Sequence, residues 1–158
     1  MTPTGVYIAL GSNLGDRAAN LHGALDALRA CEDIDVVRCS SIDETAPVGG
    51  PAGQGMYLNA VAELDTTLEP RSLLRRLLEI EDRFGRVRSV VNGPRTLDLD
   101  LILYRSLRID EPDLIVPHPR IWEREFVMRP LRELCGVERT SAWRDHFGSP
   151  LQASGHAY

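Results

Sequence analysis

Lysine is missing from this chain: all 18 of its basic residues are arginine. That excludes a Walker-type phosphate loop, Schiff-base chemistry and any catalytic lysine. Genome composition is the plain origin of such a set, yet its consequence is chemical. Any phosphate bound here must be met by arginine forks, backbone amides or metal. Cysteine is also scarce. Cys31, Cys39 and Cys135 are odd in number and none pair at metal-site spacing, so reduced thiols in packing positions are expected, with neither disulfide nor zinc. No run approaches the roughly 20 apolar residues of a membrane span, and "MTPTGVYIALGSNLGDR" lacks the basic region of a signal peptide. A cytoplasmic chain with no membrane partner is the expectation. A net charge of −5 argues against a nucleic-acid partner, which usually demands a basic stripe. Aromatics at 6% argue the same against an RNA-binding sheet.

What is present suits one domain, 1–158, expected as a monomer, with 146–158 read as a poorly ordered tail. "GVYIALGS" (5–12) reads as a strand, and "NLGD" supplies a turn with Asp16 as helix cap. Leu21, Leu25 and Leu28 then recur at helical spacing up to about Cys31. "IDVVRCSS" (34–41) and "MYLNAVAELDT" (56–66) read as strands, and the Gly- and Pro-rich stretch between them (44–55) as irregular loop. Pro70 opens a second helix with a stripe of Leu73, Leu77, Ile80 and Phe84, and Gly85 stops it. "RVRSVVN" reads as a second mobile segment, and "RIDEPDLIVPHPRIWERE" as mostly loop before a helix at about 126–135. The order β-α-β-β-α-β predicts an α+β, ferredoxin-like sandwich with helices on one face of the sheet and extra C-terminal helices. That architecture says nothing about chemistry, because it carries enzymes, RNA binders and regulatory modules alike.

The chemistry concentrates in "GPRTLDLDLILY" (93–104). Strand alternation sets Leu97, Leu99, Leu101 and Leu103 on one face and Asp98, Asp100, Ile102 and Tyr104 on the other. Residues two apart on a strand lie roughly 6.5 Å apart, so two ionised carboxylates there repel by about 2.5 kcal/mol at an effective dielectric near 20. A polar solvent face accounts for a lone D-x-D. Arg95 just before the pair, with Arg86 and Arg88 alternating upstream, points instead to hard oxygen ligands for Mg²⁺ beside arginines for phosphate. Arg86 and Arg88 also follow a helix C-terminus, where cations complement the macrodipole. His118, bracketed by prolines in "VPHPR", is either rigidly presented or structural. Tyr57 and Asn59 share a strand face and make either core or a platform and reader for a flat heterocycle.

Taken in order, "YIALGSNLGDR", "ETAPVGG", "YLNAV", "EIEDRFGRVR", "GPRTLDLDLILY" and "VPHPRIWEREFVMRPL" resemble the 6-hydroxymethyl-7,8-dihydropterin pyrophosphokinase family of folate synthesis, over about residues 5–135. The resemblance implies a ferredoxin-like fold and transfer of pyrophosphate from ATP, the co-substrate, to the pterin alcohol. It implies two Mg²⁺ bridged by Asp98 and Asp100 to the ATP phosphates, Arg86 and Arg95 on the transferring phosphates, and Glu81, Arg88, His118 and Arg124 on the ATP side. The pterin would lie between Tyr57 and Phe126, read by Asn59 and by the loop at Thr45, Ala46, Pro47 and Val48. Such a site tolerates the paired acids because cations and a triphosphate occupy their face.

The chain departs from the family pattern at Val91-Asn92, where the family usually has Arg-Trp, and the 88–93 loop is one residue shorter. Asp43 and Ala46 also stand where the family often has other residues. A cation and an aromatic are thus absent from the segment expected to close over the substrates, which lowers the expected rate more than the expected binding. The competing reading is a pterin- or nucleotide-binding paralogue with weak turnover.

Overall fold

A computed structural model describes residues 5–47, 52–85 and 96–148. β1 (Val6–Ser12) leads into α1 (Arg17–Arg29), and the Asp16 side chain caps α1 by accepting from the Ala19 amide at 3.1 Å. β2 (Ile34–Cys39), β3 (Asp43–Thr45) and β4 (Tyr57–Thr66) follow, then α2 (Pro70–Arg83) with Pro70 in its first turn. Gly85, at φ +76°, takes the left-handed conformation that ends α2. β5 (Asp98–Tyr104), a small hairpin of β6 (Ile109–Glu111) and β7 (Leu114–Val116), a 3-10 turn at Ile121–Glu123, α3 (Glu125–Cys135) and α4 (Val137–Phe147) complete the order.

The main sheet runs β2-β4-β1-β5 with every neighbour antiparallel, and β3 pairs with β4 beyond β2. β4 thus lies between β1 and β2, the split β-α-β arrangement of the ferredoxin-like fold. α1 and α2 cover one face through Leu21, Leu28, Leu73, Leu77 and Ile80 packed on Ile8, Leu10 and Leu99. The other face is covered as well, since α3 and α4 bury Met128, Leu131, Trp143 and Phe147 against Tyr7, Val61 and Leu103.

Within the sheets, three features differ from the sequence reading. β3 lies where irregular loop was expected, and its strand character comes from pairing with Tyr57–Asn59. The segment read as loop after Tyr104 contains the β6–β7 hairpin, turning at Pro112-Asp113. Within β5 the alternation breaks: Tyr7 pairs with Leu103 but Ile8 with Leu101, so Ile102 is an extra residue. Leu103 therefore joins the α3–α4 layer and Tyr104 the α1–α2 layer, the reverse of their expected faces. Asp98 and Asp100 lie before the bulge and keep their shared face.

α4 extends into the stretch expected to begin the tail: Phe147 is 4% exposed and its ring stacks on Trp122. Residues 149–158 lie outside the described residues, as do the 86–95 segment and Val91-Asn92 within it. Among the described residues no helix is long and apolar enough to cross a membrane.

Candidate active site

The floor of the site is built from strand register. Gly11 is the cross-strand partner of both Asn59 on β4 and Asp98 on β5, and Ala9 is the partner of both Val61 and Asp100. The two outer strands lie about 10 Å apart with β1 between them. Because β1 offers only Gly11 and Ala9 there, the middle of the floor stays low. A Cβ on Gly11 would stand 3.3 Å from Asn59 Oδ1 and 3.4 Å from Tyr57 Cδ1, tight against the two side chains that border it.

β3 and the residues after it form one side: Thr45, Ala46 and Pro47 line a cavity of about 350 Å³. Phe126, Arg124 and Arg120, at and before the start of α3, line it as well, with Tyr57, Asn59, Asp98 and Asp100 on the floor. Asn59 Nδ2 donates to Thr45 Oγ1, which ties floor to side and leaves the amide oxygen beside Gly11. Of the residues assigned to the pterin, six are thus brought around one cavity. Val48 lies outside the described residues.

Asp98 is half-buried and Asp100 exposed, while Leu99 between them points into the opposite core. The Leu99 amide donates to Glu81 Oε2 at 2.7 Å. Glu81 itself is 1% exposed on α2. It does not line the cavity beside the other expected residues; it grips the β5 backbone from beneath, between the two acids. Among the described residues no group of three or more His, Cys, Asp or Glu gathers to hold an ion. The carboxylates that border the first cavity, among the described residues, are those of Asp98 and Asp100.

A second cavity, of about 310 Å³, lies beyond Asp100, which borders both. Its other boundaries include Leu74 of α2, the hairpin residues Asp113 to Ile115, and His118. Arg71 braces that hairpin, donating to Glu111 and, at 2.7 Å, to Asp113 Oδ2. His118 follows the cis Val116–Pro117 peptide, and its Nδ1 accepts from the Arg120 amide at 3.1 Å. Burial, then the nearby Arg124 and Arg120 charges, hold its pKa below the ordinary value. His118 borders the second cavity and Arg124 the first. Arg86, Arg88 and Arg95 lie outside the described residues.

Sequence reasoning passed over Gly11, Ala9 and Arg120. Gly11 carried a signal, since a glycine within an apolar strand often marks a close approach. The role of "GSNLGDR" becomes visible only in three dimensions. Asn13 Nδ2 donates to Gln54 Oε1 and the Gly55 carbonyl, at 3.2 and 3.3 Å. Arg17 Nη1 reaches the Met56 carbonyl and Glu44 Oε2, both at 2.8 Å. The motif pins both ends of the β3–β4 connection that borders the cavity.

A family model described as 7,8-dihydro-6-hydroxymethylpterin-pyrophosphokinase matches residues 7–136. A 2-amino-4-hydroxy-6-hydroxymethyldihydropteridine pyrophosphokinase of Bacillus subtilis (strain 168) is 46% identical over 145 residues, covering 90% of this chain and 86% of the relative. The enzyme of that name from Pseudomonas aeruginosa is 44% identical over 130 residues, 82% of this chain and 80% of the relative. The mitochondrial folate synthesis bifunctional protein of Pisum sativum is 42% identical over 147 residues, and this chain spans only 28% of its length. A match that begins in β1, takes in both cavities and ends just after α3 makes this chain a member of the 7,8-dihydro-6-hydroxymethylpterin-pyrophosphokinase family.

Proposed function

We propose that this chain transfers pyrophosphate from ATP to 6-hydroxymethyl-7,8-dihydropterin, giving AMP and the pterin diphosphate in folate synthesis. One observation carries the reading beyond family membership. A single sheet face presents an aromatic ring, an amide and two carboxylates to one cavity, and the second carboxylate also borders a neighbouring cavity. A planar ring and a nucleotide can be held side by side across Asp100.

In the reaction the hydroxymethyl oxygen bonds to the β-phosphorus, the bond from that phosphorus to the bridging oxygen of the α-phosphate breaks, and AMP leaves with the electron pair. The hydroxyl proton is released. No covalent protein nucleophile is required, so the residues act by positioning and by electrostatics. The pterin stacks between Tyr57 and Phe126, and Asn59 and the backbone at Thr45, Ala46, Pro47 and Val48 read its edge. The nucleotide occupies the second cavity, with His118, Arg124 and Arg88 on its side; Arg86 and Arg95 meet the transferring phosphates. Glu81 serves this site through β5.

Asp98 and Asp100 would hold two Mg²⁺ ions. Hard carboxylate oxygens in a set too small to enclose an ion suit a metal that completes its shell with water and phosphate. When bound, Mg²⁺ neutralises phosphate charge. We read the chain as a cytoplasmic monomer acting on small molecules, with no membrane partner; a net charge of −5 speaks against a nucleic-acid partner.

The test is to supply ATP, Mg²⁺ and hydroxymethyldihydropterin and to follow products. AMP and pterin diphosphate should appear in equal amounts, with none in the absence of pterin. ADP in place of AMP, or pterin bound but never converted, overturns the reading.

A further inference from the structure

The two sides of the first cavity are carried by slender elements. β3 is only three residues long and pairs with β4 alone, and Phe126 stands in the first turn of α3. A network outside the cavity joins them. Arg129 Nε donates to Asp43 Oδ2 on β3, its Nη2 to Ser41 Oγ at 3.2 Å, and its Nη1 to Glu133 Oε1 at 3.1 Å. Glu133 in turn accepts from the Ser41 amide at 2.7 Å and from its hydroxyl at 2.6 Å. Phe126, Arg129 and Glu133 follow one another at helical i, i+3, i+7 spacing, so the stripe that carries the ring also carries the network. On β3, Asp43 pairs with Asn59, and two residues later Thr45 accepts from that same Asn59. None of Ser41, Asp43, Arg129 or Glu133 lines the cavity.

We propose that Arg129, acting through Asp43, Ser41 and Glu133, is a positioning residue that fixes the opening between β3 and the start of α3 and so sets the affinity for the flat ring. The inference rests on the reading of this cavity as the pterin site. All three guanidinium nitrogens are engaged, in a planar fork that lysine cannot reproduce. The partners are partly solvated, so the network adds little to folding stability. Its effect is geometric: stacking depends on the gap between β3 and Phe126, and an error of an ångström far from the chemistry can cost up to about a hundredfold. The second cavity is bounded by α2, β5 and the β6–β7 hairpin, which the network does not touch. Ring and nucleotide affinity should therefore separate.

Calorimetry on the full chain with hydroxymethyldihydropterin, and separately with α,β-methylene-ATP and Mg²⁺, tests this. Arg129→Met should weaken the pterin roughly tenfold, leave the nucleotide within about twofold, and raise KM for pterin with kcat at saturation nearly kept. Arg129→Lys should recover only part of the loss. Asp43→Asn, which keeps shape, carries the test if Arg129→Met does not fold, and should weaken the pterin in the same direction. Equal losses for both ligands with a lowered melting point, or unchanged pterin affinity in folded variants, overturn the proposal. A wild-type chain that binds nucleotide but no pterin would defeat the assignment of the cavity instead.

Discussion

Asp98 and Asp100 share one strand face, and in the proposed function a bound cation would offset the repulsion between two ionised carboxylates placed there. Asp98→Asn combined with Asp100→Asn should reduce AMP formation by at least about a hundredfold, as expected for loss of charge stabilisation at a phosphoryl site. Melting without Mg²⁺ should hold or rise slightly. A folded double variant that turns over normally at low Mg²⁺ would remove the acids from the chemistry. His118 makes a second, independent prediction. Its folded pKa is depressed, so between that value and the ordinary pKa near 6.5 the unfolded chain binds more protons. Its contribution is intact above the ordinary pKa and is lost as pH falls through this window. Urea unfolding at pH 7 and pH 5 should show a smaller pH-dependent loss in His118→Gln than in the parent chain; identical losses would mean that neither burial nor the charges of Arg124 and Arg120 lower the His118 pKa.

α2 holds β5 at the residue between its two acids, through the hydrogen bond from the Leu99 amide to Glu81. In Glu81→Ala the buried Leu99 amide loses its acceptor, which should cost about 1–3 kcal/mol. The acids are left in place, so activity should return in part at raised Mg²⁺. Denaturant titration checks the first effect and a Mg²⁺ series the second; full activity at low Mg²⁺ would mean that β5 is held well enough without this grip. The order of the long strands and of α1, α2 and α3 was legible beforehand because apolar residues recur at regular spacing and the boundary signals, Asp16 and Pro70 at helix starts and Gly85 at a helix end, are local. β3 was not, since Asp43–Thr45 owes its strand geometry to β4 and carries no pattern of its own. The bulge at Ile102 was not either, because register belongs to a pair of strands and not to one sequence. The site divides the same way. The shared faces of Asp98 with Asp100 and of Tyr57 with Asn59 were readable from strand spacing, while their assigned roles came with the family resemblance; the contacts of Glu81 and Arg129 depend on partners 18 and 86 residues away.

The fold sets two cavities side by side, and the only residue of β5 that borders both and also carries charge is Asp100; Asp98 borders the first cavity alone. With ring and nucleotide placed in the two cavities as proposed, that carboxylate is the expected route by which occupancy on one side is felt on the other. Such communication is a free energy belonging to the pair of ligands, so whatever factor nucleotide imposes on pterin affinity, pterin imposes on nucleotide affinity. Asp100→Asn should bring that shared factor closer to one than Asp98→Asn does, as read from four titrations per variant, each ligand alone and each with the other saturating. Equal factors in the two variants would place the coupling elsewhere. A residue in this position cannot be tuned for one substrate in isolation: as a party wall, it obliges any substitution made on behalf of one tenant to alter the terms of both.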